Sequence, residues 1–131
     1  MIVIDASAAL NLVLAKPTAL PIAERMFGPQ GRTLAPELIE LEVLQVLRRL
    51  ALAEGLSPER AAEAIRLFHD LPINPVGHRA LAGRVWALRH QLSAYDAAYV
   101  ALAEAVDAPL LTCDRRLAVA HGHHARIELV G

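Results

Sequence analysis

Four carboxylates in this 131-residue chain stand where they could do chemistry. Asp5 follows the β-branched run Ile2 to Ile4, and Asp114 follows the compact apolar run from Pro109 to Cys113. If both runs are parallel strands of one sheet, both acids lie at its carboxyl edge, where open α/β sheets bind ligands. Each also has a structural reading as the N-cap of the helix after it. Asp96, three residues after Ser93, reads as an Asp version of a capping box, yet a residue in a first helical turn can also project over the end of a sheet. Glu42 lies inside a helical pattern, where capping does not explain it. At 100° per residue Ile39, Val43, Val46 and Leu50 share an apolar face, and Glu42, Gln45 and Arg49 form a polar stripe beside it; the alternative is an ordinary solvated stripe. Glu40 is assigned to solvent.

Convergence of Asp5, Glu42, Asp96 and Asp114 would be repulsive. Two like charges about 5 Å apart cost roughly 3 kcal/mol at an effective dielectric near 20. Protonation offsets that repulsion, or a hard divalent cation with a preference for oxygen does, Mg²⁺ or Mn²⁺. The second arrangement suits metal-assisted phosphoryl chemistry.

The elements that must position these acids alternate. Strands are expected at Ile2 to Ile4, Thr33 to Ala35, Pro72 to Val76, Pro109 to Cys113 and Arg126 to Val130. Helices are expected from Ala6 onward, from Thr18 to Phe27, from Pro36 to about Glu54, from Ser57-Pro58 towards Asp70, from His78 to Gln91, from Ala94 to about Val106, and from Asp114 to His121. Alternation of this kind predicts an α/β fold of three layers, with a central, mostly parallel sheet covered on both faces.

Length allows a single domain over residues 1–131. Hydrophobic residues make up 55% of the chain and charged residues 21%, which excludes the disordered and low-complexity classes. No uncharged apolar window reaches 18 residues, and no basic segment precedes the first apolar run, so neither a membrane span nor a secretory signal is expected and the protein is assigned to the cytoplasm. The one cysteine, Cys113, cannot form an internal disulfide or a thiolate zinc site. Net charge is −1, which gives no overall basic footprint for nucleic acid. Twelve of the 13 basic residues are nevertheless Arg, the better bidentate partner for phosphate.

The order of the pieces, MIVIDAS, then APELIELEVLQVLRRL, then LSAYDAAYVALAEAVDAPLLTCDRRLA, resembles a PIN-domain ribonuclease, specifically a VapC-type toxin of a toxin–antitoxin system. The resemblance covers essentially the whole chain, including the closing ARIEL segment. It implies an α/β/α domain whose first and fourth strands lie side by side, with Asp5, Glu42, Asp96 and Asp114 as the acidic catalytic site. Asp5 and Asp96 would be the main Mg²⁺ ligands, with Mn²⁺ as the alternative ion, and Glu42 and Asp114 would complete the pocket directly or through water. Ser7 and Thr112 match hydroxyl positions that support the site or touch the substrate phosphate. The attacking group would be metal-activated water. The resemblance further implies an endoribonuclease acting on structured RNA (tRNA or rRNA), a homodimer, and a cognate VapB-like antitoxin through which alone the pair meets DNA. Gln45 stands where such proteins often carry Asn, and Glu40 where Asp is frequent, which bears on substrate choice more than on catalysis.

Two other readings compete. A phosphatase using Asp5 as a phosphorylated nucleophile needs a second Asp two positions on, where this chain has Ser7. A non-catalytic PIN-like scaffold that binds RNA or protein would have no need of all four acids. His121, His123 and His124 are assigned to a polar loop, Cys113 to a buried and inert position, and Trp86 and Tyr99 to core or dimer packing.

Overall fold

The computed structural model describes residues 1–29 and 31–131. Its centre is a five-stranded parallel sheet of β1 (Ile2–Ile4), β2 (Thr33–Pro36), β3 (Ile73–Val76), β4 (Leu110–Thr112) and β5 (Ile127–Leu129), in the order β3-β2-β1-β4-β5. Parallel neighbours cannot be joined by tight hairpins, so each connection is a crossover carrying helix. The helices are α1 (Ala6–Val13), α2 (Ala19–Met26), α3 (Ile39–Leu52), α4 (Pro58–Asp70), α5 (Ala82–Ala87), α6 (Ala94–Val106) and α7 (Arg115–Ala118). Contacts among α1, α2, α3 and α4 build one layer, and α6 lies on β1, β2 and β4 beside α5 in the other. This is the three-layer α/β architecture that the alternation of elements implies.

Strand order sets the position of the site. From β1 the chain moves outward through β2 to β3; it then returns to pair β4 with the free edge of β1 and continues outward to β5. The order therefore reverses between β1 and β4, the topological switch point at which ligand crevices open in sheets of this kind. Asp5 N–H donates to the Leu111 carbonyl at 3.2 Å, extending the β1–β4 ladder to the acid itself.

β1 and β4 are buried throughout, as short β-branched and leucine-rich strands covered on both faces should be. Along α6 every residue from Ala97 to Ala103 is buried, and its alanines let the helix approach the sheet closely. α6 ends at Asp107 with φ 50, a left-handed conformation that Asp tolerates better than most residues.

Two elements differ from the sequence reading. Pro36 closes β2, paired with Val76, instead of opening the long helix; a proline at a strand end leaves no ladder donor missing, and α3 begins only at Ile39. Its N-cap position, Leu38, has no capping side chain of its own, and the Leu38 N–H is accepted by His78 Nε2 at 3.0 Å. The expected helix from His78 to Gln91 is reduced to a 3₁₀ turn, Arg79–Leu81, and the six residues of α5; residues 88–92 turn so that Leu88 is buried at 1% exposure. Among the described residues no helix is long and apolar enough to cross a membrane.

Candidate active site

Asp5 is 5% exposed, directly after β1, and its carboxylate caps the helix that follows while lying at the carboxyl edge of the sheet. Oδ1 caps α1, accepting from Ala8 N–H at 3.0 Å and from Ser7 Oγ–H at 2.7 Å. Oδ2 accepts a hydrogen bond from the Thr112 hydroxyl. Burial, the largest influence, still pushes this carboxyl above the usual carboxylate range; the bonds from Thr112, Ala8 and Ser7 pull it down, and Asp114 adds to the rise.

Ser7 and Thr112 hold the acid by closing a ring across the switch point. Ser7 Oγ also accepts from Cys113 N–H at 2.9 Å and lies 3.3 Å from Thr112 Oγ1, which in turn accepts from Asp114 N–H at 3.0 Å. Thr112 has no exposed surface, so its hydroxyl acts on Asp5 and on the backbone of Asp114 and does not face solvent. Ser7 reaches an open cleft as well.

Asp114 caps α7, accepting from Arg116 N–H at 2.9 Å, and its other oxygen pairs with Arg116 Nη2 at 3.0 Å. Asp96 sits in the first turn of α6, whose N-cap Ser93 accepts from Asp96 N–H at 3.2 Å. Burial raises the Asp96 carboxyl most; Arg116 draws it down, Asp114 raises it, and the Ser93 hydroxyl lowers it.

Glu42 is half-buried on α3, whose buried stripe is Ile39, Val43 and Leu47; Val46 and Leu50 pack only partly. Its Oε1 accepts from the Tyr99 hydroxyl at 2.6 Å. Its carboxyl is raised by burial first, against the Tyr99 bond, and then by Asp96 and by Asp5. Glu42 thus faces the other acids and not the solvent stripe that a polar helix position suggests.

The structure brings all four acids within electrostatic reach of one another: Asp5 with Asp114 and Glu42, and Asp96 with Glu42 and Asp114. Asp5, Glu42 and Asp96 have raised affinity for protons, through burial first and through their like-charged neighbours second. Among the described residues no three of His, Cys, Asp and Glu stand close enough to form a ready-made metal cage. Carboxylate oxygens are the donors a hard divalent cation prefers, so the residues present fit such an ion held through one or two of them.

Tyr99 is the residue that sequence reasoning left in the core. It is in the core, at 2% exposure, but its phenol also reaches Glu42 from the buried face of α6. Burial and then Glu42 hold that phenol well above its ordinary range, so it is a permanent donor. The signal available was three-residue spacing from Asp96, which puts the two side chains on one side of the helix. Glu40 is not simply solvated, since it lies 2.7 Å from His69 Nε2. Trp86 is 68% exposed, outside the core, with the Arg89 guanidinium 4.6 Å from its ring centroid. Cys113 is half-buried, and burial pushes its thiol up, away from the reactive thiolate. His123 accepts from Ala125 N–H and lies 3.1 Å from the Ala120 carbonyl, and so stabilises a turn.

Known proteins resemble this chain over almost its whole length. The PIN domain family model matches residues 2–122. Ribonuclease VapC12 of Mycobacterium tuberculosis is 39% identical over 130 residues, covering 99% of each chain. Ribonuclease VapC1 of the same species is 41% identical over 129 residues, covering 98% of this chain and 96% of the relative. Among solved structures, VapBC2 from Rickettsia felis bound to a DNA fragment from its promoter contains a chain of the same fold, with a TM-score of 0.72, 11% identity and full coverage of both chains.

Proposed function

The chain belongs to the PIN-domain family and, within it, to the VapC ribonucleases, and from that premise we propose that it is a Mg²⁺-dependent endoribonuclease toxin acting on structured RNA of the tRNA or rRNA class. The observation that carries this reading is the convergence of Asp5, Glu42, Asp96 and Asp114, from four separate segments, on the switch point of the sheet. Mn²⁺ is the alternative ion.

Asp5 and Asp96 would hold the cation, with Glu42 and Asp114 completing the pocket directly or through water. When bound, the ion would orient the scissile phosphate, lower the pKa of the attacking water and stabilise the leaving oxygen. The chain's own contribution is preorganisation. Ser7, Thr112 and the α1 amide fix both Asp5 oxygens, and Tyr99 fixes Glu42. Arg116 holds Asp114 and offsets part of the charge at Asp96 until substrate arrives. Carboxyls raised in this way would have to give up their protons to hold a cation, so ion binding should weaken at low pH.

The partner is a VapB-like antitoxin, in keeping with the VapBC assembly of the structural relative, and DNA is met only through that partner. The working unit is a homodimer of single-domain chains spanning residues 1–131, acting in the cytoplasm. Expression of the chain alone should arrest growth, and co-expression of the small protein encoded beside it should restore growth and co-purify with it. Unchanged growth and intact cellular RNA at high expression would favour a non-catalytic RNA- or protein-binding scaffold instead.

A further inference from the structure

An edge of four acids repels the polyanion it is to cut, so something beside it must attract RNA. A cleft of about 660 Å³ has Glu42 and Asp96 in its wall together with His90, Gln91, Arg116 and His121. Arg116 is the cation that reaches the acids, and its side chain is 84% exposed. Four other arginines are committed elsewhere: Arg25 to Glu128, Arg66 to Glu63, Arg84 to Glu104 and Arg126 to Asp107. The rings of His90 and His121 are exposed and have neither a hydrogen-bond nor an ion-pair partner among the described residues.

Gln91, in the wall of the cleft, lies against the backbone of the residue after His121. Gly122 has φ +86, and a Cβ there would sit 3.0 Å from both Cγ and Cδ of Gln91. The turn carrying His121 therefore rests on the Gln91 side chain, and its left-handed backbone at Gly122 favours glycine. On the other side of Glu42 a second cleft, of about 670 Å³, includes Lys16 and Arg49, but its wall is mainly aliphatic and suits a polyanion poorly.

We propose that the cleft of His90, Gln91, Arg116 and His121 is a nucleotide subsite for RNA next to the cut. Arg116 and the two histidines hold the phosphate adjoining the scissile one, and the Gln91 amide, which offers both donor and acceptor, pairs with the edge of an unstacked base. RNA then reaches the acids from the side of α6 and α7. This assignment rests on the ribonuclease reading and deepens it.

The test pairs Arg116→Gln with Arg115→Gln, the same change of charge one residue earlier on α7 and outside the cleft wall. Binding of labelled total tRNA is followed by anisotropy in EDTA across a salt series, with thermal melting as the check on folding. Arg116→Gln should weaken binding about 10-fold and lower the log–log salt slope by about 0.7 to 0.9, the effect of one lost phosphate contact, while Arg115→Gln stays within about two-fold of the parent. With Mg²⁺, the double variant His90→Ala/His121→Ala should raise KM severalfold with kcat little changed, and Gln91→Ala should change the base found beside the mapped cuts. Equal behaviour of the two arginine variants, or an unmoved KM in the histidine variant, overturns the subsite. A parent protein that neither binds nor cuts RNA overturns the ribonuclease reading itself.

Discussion

Replacing Glu42 with Gln should remove cleavage and make the metal-free protein more stable. The carboxylate of Glu42 is half-buried, with Asp96 and Asp5 as like-charged neighbours. Burial is the first cost of that charge and repulsion from Asp96 and Asp5 adds to it, so that, after screening by solvent, removing the charge should return roughly 1–2 kcal/mol. The isosteric amide oxygen of Gln can still accept from the Tyr99 hydroxyl, so the 2.6 Å bond need not be lost with the charge. In a domain of this size that gain corresponds to an increase in Tm of roughly 3–8 °C. The pH dependence has a definite sign. A carboxyl whose folded pKa is raised keeps its proton in the native state where the unfolded chain has lost it, so native stability falls as pH rises from the ordinary Glu value through the raised one. The Gln variant does not share that loss. Its advantage should be small near pH 4 and fully developed at pH 7.5, measured by calorimetry in EDTA, and saturating Mg²⁺ should shrink it by stabilising only the parent. A Gln variant less stable than the parent by more than about 1 kcal/mol at pH 7.5 in EDTA would refute the reasoning, because Glu42 would then be a favourable structural charge.

Two further substitutions separate positioning from packing. Tyr99→Phe retains the buried ring but removes the donor to Glu42; it should cost about 1–2 kcal/mol in chemical denaturation and reduce kcat more than it raises KM. Its effect on Mn²⁺ affinity should largely vanish in a Glu42→Gln background, as titration calorimetry would show, since the two groups act as a unit. Thr112→Val leaves Asp5 Oδ2 without its hydroxyl donor and Asp114 N–H without its acceptor, and urea titration should find it about 2–3 kcal/mol less stable than the parent.

Much of the fold was legible because its signals are local. Five short apolar runs separated by helical patterns define the sheet, and Ser57-Pro58 and Ser93 mark helix starts that the structure reproduces to the residue. Pro36 misled because proline suits a strand end as well as a first helical turn, and pairing with Val76 decides between them only once β3 is in place. The candidate acids were legible one by one, whereas their meeting depends on the β1–β4 pairing of segments more than a hundred residues apart. Tyr99 was illegible as more than core, since apolar packing and a buried hydroxyl aimed at a carboxylate leave the same mark in a sequence. The two roles of Asp5, helix cap and site carboxylate, were weighed as alternatives; one side chain with two oxygens performs the first with Oδ1 while Thr112 holds the second oxygen in place.

The central claim is that Asp5 and its neighbouring acids cut RNA with the help of a divalent cation. The direct measurement is cleavage of total cellular RNA by the purified chain in Mg²⁺, in EDTA and as the Asp5→Asn variant, with the new RNA ends mapped by sequencing and folding checked by circular dichroism. The account predicts discrete cuts in Mg²⁺ that disappear in EDTA and in the folded variant. Mg²⁺-dependent cuts at the same positions made by the folded Asp5→Asn protein would contradict it.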